Sequence, residues 1–231
     1  MKIQGLQKMT LLDYPGRVAC TVFLGGCDFR CPFCHNYELV EGFQEAAITE
    51  DEFFAFLAKR RGLIDGVAIT GGEPCLRKDL PAFLEKVRAA GFPVKLDTNG
   101  NSPRMLERLL GEGLVDYVAM DIKNAPAKYA QTVGLRALDL APLQESVNLL
   151  KQGAVDYEFR TTVIRQYHEE RDFHEIGAWI QGARRYFLQA FTDRDTVPDH
   201  SLSAPDPAAL RLYRDICAEY VEQVEIRGLD E

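Results

Sequence analysis

Six times along this chain a short apolar run rich in β-branched residues is followed by a stretch with apolar residues at helical spacing, and few folds accommodate that alternation. The runs are 18–24, 66–70, 94–98, 117–122, 157–164 and 186–191, each reading as a strand buried on both faces. Between them, Thr49 and Glu52 form a capping box ahead of Phe53, Phe56 and Leu57, and 79–90 carries Leu80, Phe83, Leu84 and Val87 on one stripe. Ser102-Pro103 opens a third helix as N-cap and first turn, Leu143, Val147 and Leu150 mark a fourth, 173–184 a fifth, and the segment after Pro207 a sixth. Strand and helix in strict turn call for one α/β domain with a parallel sheet and helices outside it. Because the alternation stops at six, the expectation is an open, partial (β/α)6 barrel over 1–191, with 192–231 a loop and helix packed on that core. A doubly wound sheet is the alternative that spacing leaves open.

The polar residues fall in one kind of place. Cys27, Cys31 and Cys34 follow the first strand, Gly71-Gly72-Glu73-Pro74 the second, Asp97 and Asn99 end the third, Asp121 and Lys123 the fourth, and Gln189 lies late in the sixth. In an α/β barrel those carboxyl ends share one face, so residues scattered in sequence converge on one site. Period-two geometry also places Asp97 with Asn99, and Asp121 with Lys123, on common faces.

Half of the 6 cysteines lie in Cys27-Asp28-Phe29-Arg30-Cys31-Pro32-Phe33-Cys34. A disulfide framework wants even numbers and an oxidising compartment, so the cluster reads as a metal or redox site. A dithiol reading of Cys31-Pro32-Phe33-Cys34 leaves Cys27 unused, and a haem-attachment reading of Cys31 to His35 calls for an exported chain. A Cys3His zinc site asks the neighbours Cys34 and His35 to reach one ion. Three thiolates holding three irons of a [4Fe–4S] cluster leave one iron open, which turns the missing fourth ligand into a docking point.

Composition narrows the partners. With 27 basic and 35 acidic residues, a net charge of −8 and no Lys/Arg block, the chain has no footprint for a phosphate backbone, so no nucleic acid is expected. No apolar run reaches membrane-spanning length, so no membrane is expected either. The first residues lack a secretory apolar stretch, and the expected location is cytoplasmic.

With Phe33 before its last thiol, the C-x3-C-x2-C triplet resembles the motif of the radical S-adenosylmethionine (SAM) superfamily, and Gly71-Gly72-Glu73-Pro74 resembles that superfamily's GGE motif. Thr10-Leu11-Leu12-Asp13-Tyr14-Pro15-Gly16, Phe23-Leu24-Gly25-Gly26-Cys27, Cys34-His35-Asn36 and Met120-Asp121-Ile122-Lys123 are similar to the glycyl radical enzyme activases, particularly those of anaerobic ribonucleoside-triphosphate reductase. The likeness spans most of residues 3–191.

The resemblance implies one [4Fe–4S] cluster on Cys27, Cys31 and Cys34, with SAM chelating the open iron. Reductive cleavage of SAM would yield a 5′-deoxyadenosyl radical that takes a hydrogen from a glycine of a partner glycyl radical enzyme. The electron would come from a low-potential donor such as flavodoxin or ferredoxin. It further implies that Phe33 and His35 flank the adenine, that Gly72, beside Gly71, lets SAM approach closely, and that Glu73 accepts from the methionine ammonium. Lys123, with Asp121, would contact the carboxylate or ribose, and Arg160 the carboxylate, with Asp97, Asn99 and Gln189 as further cofactor-binding candidates. Rival readings are a radical SAM enzyme acting on a small molecule or peptide, and a non-catalytic iron–sulfur or zinc protein. At residue level, Asp121 and Lys123 could be a plain ion pair and Arg160 a structural arginine, while His168, His174 and His200 read as surface residues.

Overall fold

The computed structural model describes residues 1–41 and 45–229. Its single sheet has the order β1 to β8 in sequence, made of β1 (Gly5–Thr10), β2 (Ala19–Leu24), β3 (Gly66–Gly71), β4 (Val94–Thr98), β5 (Tyr117–Asp121), β6 (Asp156–Val163), β7 (Arg185–Ala190) and β8 (Gln223–Arg227). β1 runs antiparallel to β2, and every later pair is parallel. The helices are α1 (Glu50–Lys59), α2 (Leu80–Ala89), α3 (Pro103–Gly111), the single turn α4 (Tyr129–Thr132), α5 (Ala141–Lys151), α6 (Glu170–Trp179) and α7 (Pro207–Cys217).

The six expected strands are β2 to β7, each within a residue or so of its apolar run. Val22, Ile69, Leu96, Val118, Met120, Phe159 and Leu188 are all fully buried, as strands covered by crossover helices require. The capping box at α1 forms, with Thr49 Oγ1 accepting from Glu52 N at 3.2 Å and Glu52 Oε2 accepting from Thr49 N at 2.7 Å.

Two strands have no counterpart among the apolar runs. β1 and β8 are half-exposed edge strands carrying Gln, Lys, Glu and Arg among their apolar residues, so neither shows the continuous apolar run of a covered strand. The segment after residue 191 thus adds a strand as well as a loop and a helix, and Leu202, Leu210, Ile216 and Val221 belong to the same core cluster as the barrel strands.

The sheet is curled. If it lay flat, six steps of about 4.8 Å would put β1 about 29 Å from β7, yet Gln7 of β1 and Gln189 of β7 line one cavity. An α/β architecture open between β8 and β1 is therefore a partial barrel, with its lumen at the carboxyl ends of the parallel strands.

Candidate active site

That cavity, about 510 Å³, is lined by Cys27, Cys31 and Cys34 on one wall and by Asp97, Asp121, Lys123, Arg160 and Gln189 from the strands opposite. The thiol loop is held at both ends. Cys27 N donates to Val40 O at 3.0 Å, Arg30 N to Val133 O at 2.8 Å, and Cys34 N closes a turn on Cys31 O at 3.1 Å. The Phe29 N–H points at Cys27 Sγ from 3.4 Å. Burial pushes the Cys27 thiol up to about 12 and that of Cys31 up to about 11, the latter eased by Lys123 nearby. Both therefore stay protonated until a bound metal displaces the proton.

This donor set fits an iron–sulfur cluster. Three soft ligands share one wall of a cavity, and an N–H···S bond of the kind that tunes cluster sulfurs is in place. It fits one zinc ion poorly. His35, the fourth ligand that zinc would need, turns Nε2 to the Thr192 carbonyl at 2.7 Å and stacks on Phe191 at 5.7 Å. Among the described residues, no three His, Cys, Asp or Glu side chains close tightly enough to hold a single ion.

Opposite the thiols runs a ladder of alternating charge. Lys95 is paired with Asp97, Arg160 NH1 lies 3.4 Å from Asp97, Arg160 Nε donates to Asp121 at 2.9 Å, and Lys123 Nζ donates to the other Asp121 oxygen at 2.9 Å. Burial alone would raise Asp121, but Arg160 and Lys123 overcome it and hold the carboxyl at about 2. Asp97 is lowered the same way, its burial outweighed by Arg160 and Lys95. Burial would lower Lys123 and Arg160, and the carboxylates beside them raise both instead. Of the ladder residues that line the cavity, Lys123 and Arg160 balance Asp97 and Asp121, so two cations are held at fixed places on its wall. Gln189, which lines the same cavity, has no side-chain partner among the described residues.

Several expected site residues do different work. A Cβ on Gly72 would lie 2.1 Å from Gly26 O, so the missing side chain admits the root of the thiol loop, at a position that also lines the cavity. Gly71 has φ +117 and packs on the Leu24 backbone in the same way. The Glu73 carboxylate is 1% exposed, and accepts from Thr98 Oγ1 at 2.8 Å, Asn99 N at 2.6 Å and Cys75 N at 2.9 Å. Burial, opposed by those donors, pushes it up to about 7, and the carboxylate is not among the groups that line the cavity. Asn99 spends its amide on Asp28 and Asn101. Phe33 is buried against Tyr167, ring centroids 6.2 Å apart, with an edge on the cavity.

His168 is a correction to the surface reading, since it is 4% exposed. Its Nε2 faces the Lys123 carbonyl at 3.0 Å and so carries the proton, leaving Nδ1 to accept from Ile164 N at 3.1 Å. His174 and His200 are exposed as expected. Nothing in its neighbours' sequence marks His168, because its two partners are backbone atoms brought up by the fold.

A family model for the radical SAM superfamily matches residues 21–178. The chain belongs to the radical SAM superfamily. Its members use a [4Fe–4S] cluster and S-adenosylmethionine, and the chain is an enzyme of this kind. A Methanocaldococcus jannaschii protein assigned as a glycyl-radical enzyme activating enzyme is 32% identical over 239 aligned residues, covering 99% of this radical SAM chain and 96% of that one. The 7-carboxy-7-deazaguanine synthase of Koribacter versatilis is 30% identical over 71% of this chain and 70% of its own. Among solved structures, a domain of a pyruvate-formate lyase-activating enzyme from Bacteroides vulgatus superposes with a TM-score of 0.58 at 16% identity, over 71% of this chain and 99% of that domain.

Proposed function

We propose that this radical SAM enzyme is a glycyl radical enzyme activase, with anaerobic ribonucleotide reductase as the partner it serves. The observation that carries the reading is end-to-end: the M. jannaschii protein assigned as an activating enzyme aligns over 99% of the chain, including the C-terminal segment that adds β8 to the sheet, whereas the deazaguanine synthase aligns over 71%. The motif stretch 10–16, which the resemblance shares with activases, follows β1 at the amino-terminal end of the parallel strands, where Thr10 pairs with Ala19 and Tyr14 packs on Tyr117.

In this reading Cys27, Cys31 and Cys34 hold the cluster, which with SAM supplies a 5′-deoxyadenosyl radical on reduction. Lys123 and Arg160 line the cavity with the thiols, so they orient the methionine carboxylate or the ribose while Asp97 and Asp121 keep both cations in place. Gln189 offers an uncommitted amide to the ligand, and Phe33 and His35 supply the apolar edge for the adenine. Gly71, Gly72, Glu73 and Asn99 shape the thiol loop from behind. The electron arrives from a low-potential donor such as flavodoxin or ferredoxin, and a cytoplasmic location suits the free thiols of the site.

Anaerobic reconstitution with iron and sulfide, then reduction in the presence of SAM, is expected to release 5′-deoxyadenosine. No product above a Cys31→Ala control sinks the reading. A glycyl radical signal that appears with anaerobic ribonucleotide reductase, and not with pyruvate formate-lyase, assigns the partner; the reverse removes that assignment.

A further inference from the structure

Asp28, next to the first cluster ligand, has no role in the reading above, and its surroundings are unusual for an acid. Its Oδ1 accepts from Asn99 Nδ2 at 2.8 Å, its Oδ2 accepts from Asn101 Nδ2 at 2.6 Å, and Cys27 Sγ lies 4.0 Å from Oδ1. Both amides sit in the loop after β4, and that loop is itself held. Asn99 N donates to Glu73 Oε2 at 2.6 Å, and Asn101 N donates to Asn99 Oδ1 at 2.9 Å. On the other side of Cys27, Glu73 N donates to Gly26 O at 2.7 Å. Cys27 thus lies between two points, the Gly26 carbonyl and the Asp28 carboxylate, that are both tied to the same pair of loops.

A carboxylate beside a thiolate ligand is electrostatically unfavourable, since like charges oppose deprotonation of the thiol. An acid at this position needs a compensating use, and the geometry supplies one. Two NH2 groups converge on residue 28, and a neutral asparagine there has a single oxygen to offer them. A carboxylate gives each donor its own charged oxygen.

We propose that Asp28 is a positioning residue for the cluster: through its paired bonds to Asn99 and Asn101 it sets Cys27 for ligation before iron arrives. The proposal rests on the reading of Cys27 as an iron ligand. Asp28 touches no reacting atom, and its bonds tie the thiol loop to the loop after β4.

The test exchanges donor and acceptor. Asp28→Asn removes the charge that strengthens both bonds and leaves Asn101 to pair only by flipping its amide, and adding Asn101→Asp restores a charged acceptor opposite the new NH2 at the parent's net charge. In the full-length metal-free chain, Asp28→Asn is expected to speed amide hydrogen exchange across 27–34 by about tenfold, the opening that follows loss of one hydrogen bond to a charged group. After anaerobic reconstitution, the same variant is expected to hold less iron per chain and to show a broadened spectrum of the reduced cluster, measured with and without SAM. The double variant is expected to return all three readouts towards the parent. Exchange and iron content in Asp28→Asn equal to the parent overturn the proposal, and so does a double variant that restores neither. Should the parent take up no iron, the functional reading falls, while the exchange measurement still decides whether the pairing orders the loop.

Discussion

Gly72 stands where a Cβ would be 2.1 Å from the Gly26 carbonyl, so its constraint comes from the protein's own backbone. Gly72→Ala is expected to lower unfolding free energy by about 1–3 kcal/mol, the usual cost of forcing an extra carbon into a packed site, and to loosen the thiol loop that Gly26 begins. Urea unfolding of the metal-free chain checks the first, and iron retention after desalting the second. His168 carries a pH dependence. Burial, against its two backbone bonds, lowers its pKa and keeps the folded imidazole neutral, while the unfolded ring takes a proton below about 6.5. The unfolded state then binds more protons, so stability present above that pH is lost as pH falls, by up to about 1.4 kcal/mol per unit from this group. His168→Gln keeps a donor and an acceptor but does not titrate. The expected outcome is a smaller stability difference between pH 8 and pH 5.5 in the variant than in the parent, by urea unfolding at both pH values. An equal difference removes His168 as the source.

At the level of elements, β8 is the strand that sequence pattern concealed, and a buried ion pair fastens it. Arg227 NH1 and NH2 donate to the two Glu158 oxygens at 2.8 Å and 2.9 Å, Tyr117 OH adds a third bond at 2.7 Å, and the guanidinium lies over the Phe187 ring. Glu158 is 1% exposed, with Arg227 at 36%. Arg227→Ala leaves that carboxylate buried with only the tyrosine, and is expected to cost about 3 kcal/mol, the low end for a broken buried pair because the arginine itself reaches solvent. Adding Glu158→Gln should recover part of the loss in the same denaturant titration. Strands β2 to β7 were legible because each is buried on both faces and so writes a continuous apolar run. β1 and β8 each have one partner strand and half-exposed side chains, and their composition is that of a polar loop.

Across the whole molecule the C-terminal segment closes the core. Tyr213 of α7 stacks on Phe173 of α6 at 4.2 Å, and the Tyr220 ring fills the space at Gly177. Upstream of α7, Thr196 Oγ1 donates to His35 O at 2.7 Å and Asp199 N donates to Pro32 O at 3.1 Å, which ties the segment to the thiol loop. A chain ending at residue 205 is expected to aggregate, because it bares the α6 face and the edge of β7; soluble yield and size-exclusion elution against the full chain measure this. A soluble monomer of the truncated chain would show that the segment is an accessory.

The six alternations and the spacing of Cys27, Cys31 and Cys34 were readable in one dimension, because period and spacing are properties of neighbouring residues. They carried the architecture, the family and the candidate ligands. Which polar groups face the cavity was not readable there. Glu73 turns away into a strut with Asn99, Arg160 is held between two aspartates, and His168 and Asp28 pair with partners brought together from distant loops. Such roles depend on where separate strand ends meet once the sheet curls, and that meeting exists only in the folded chain.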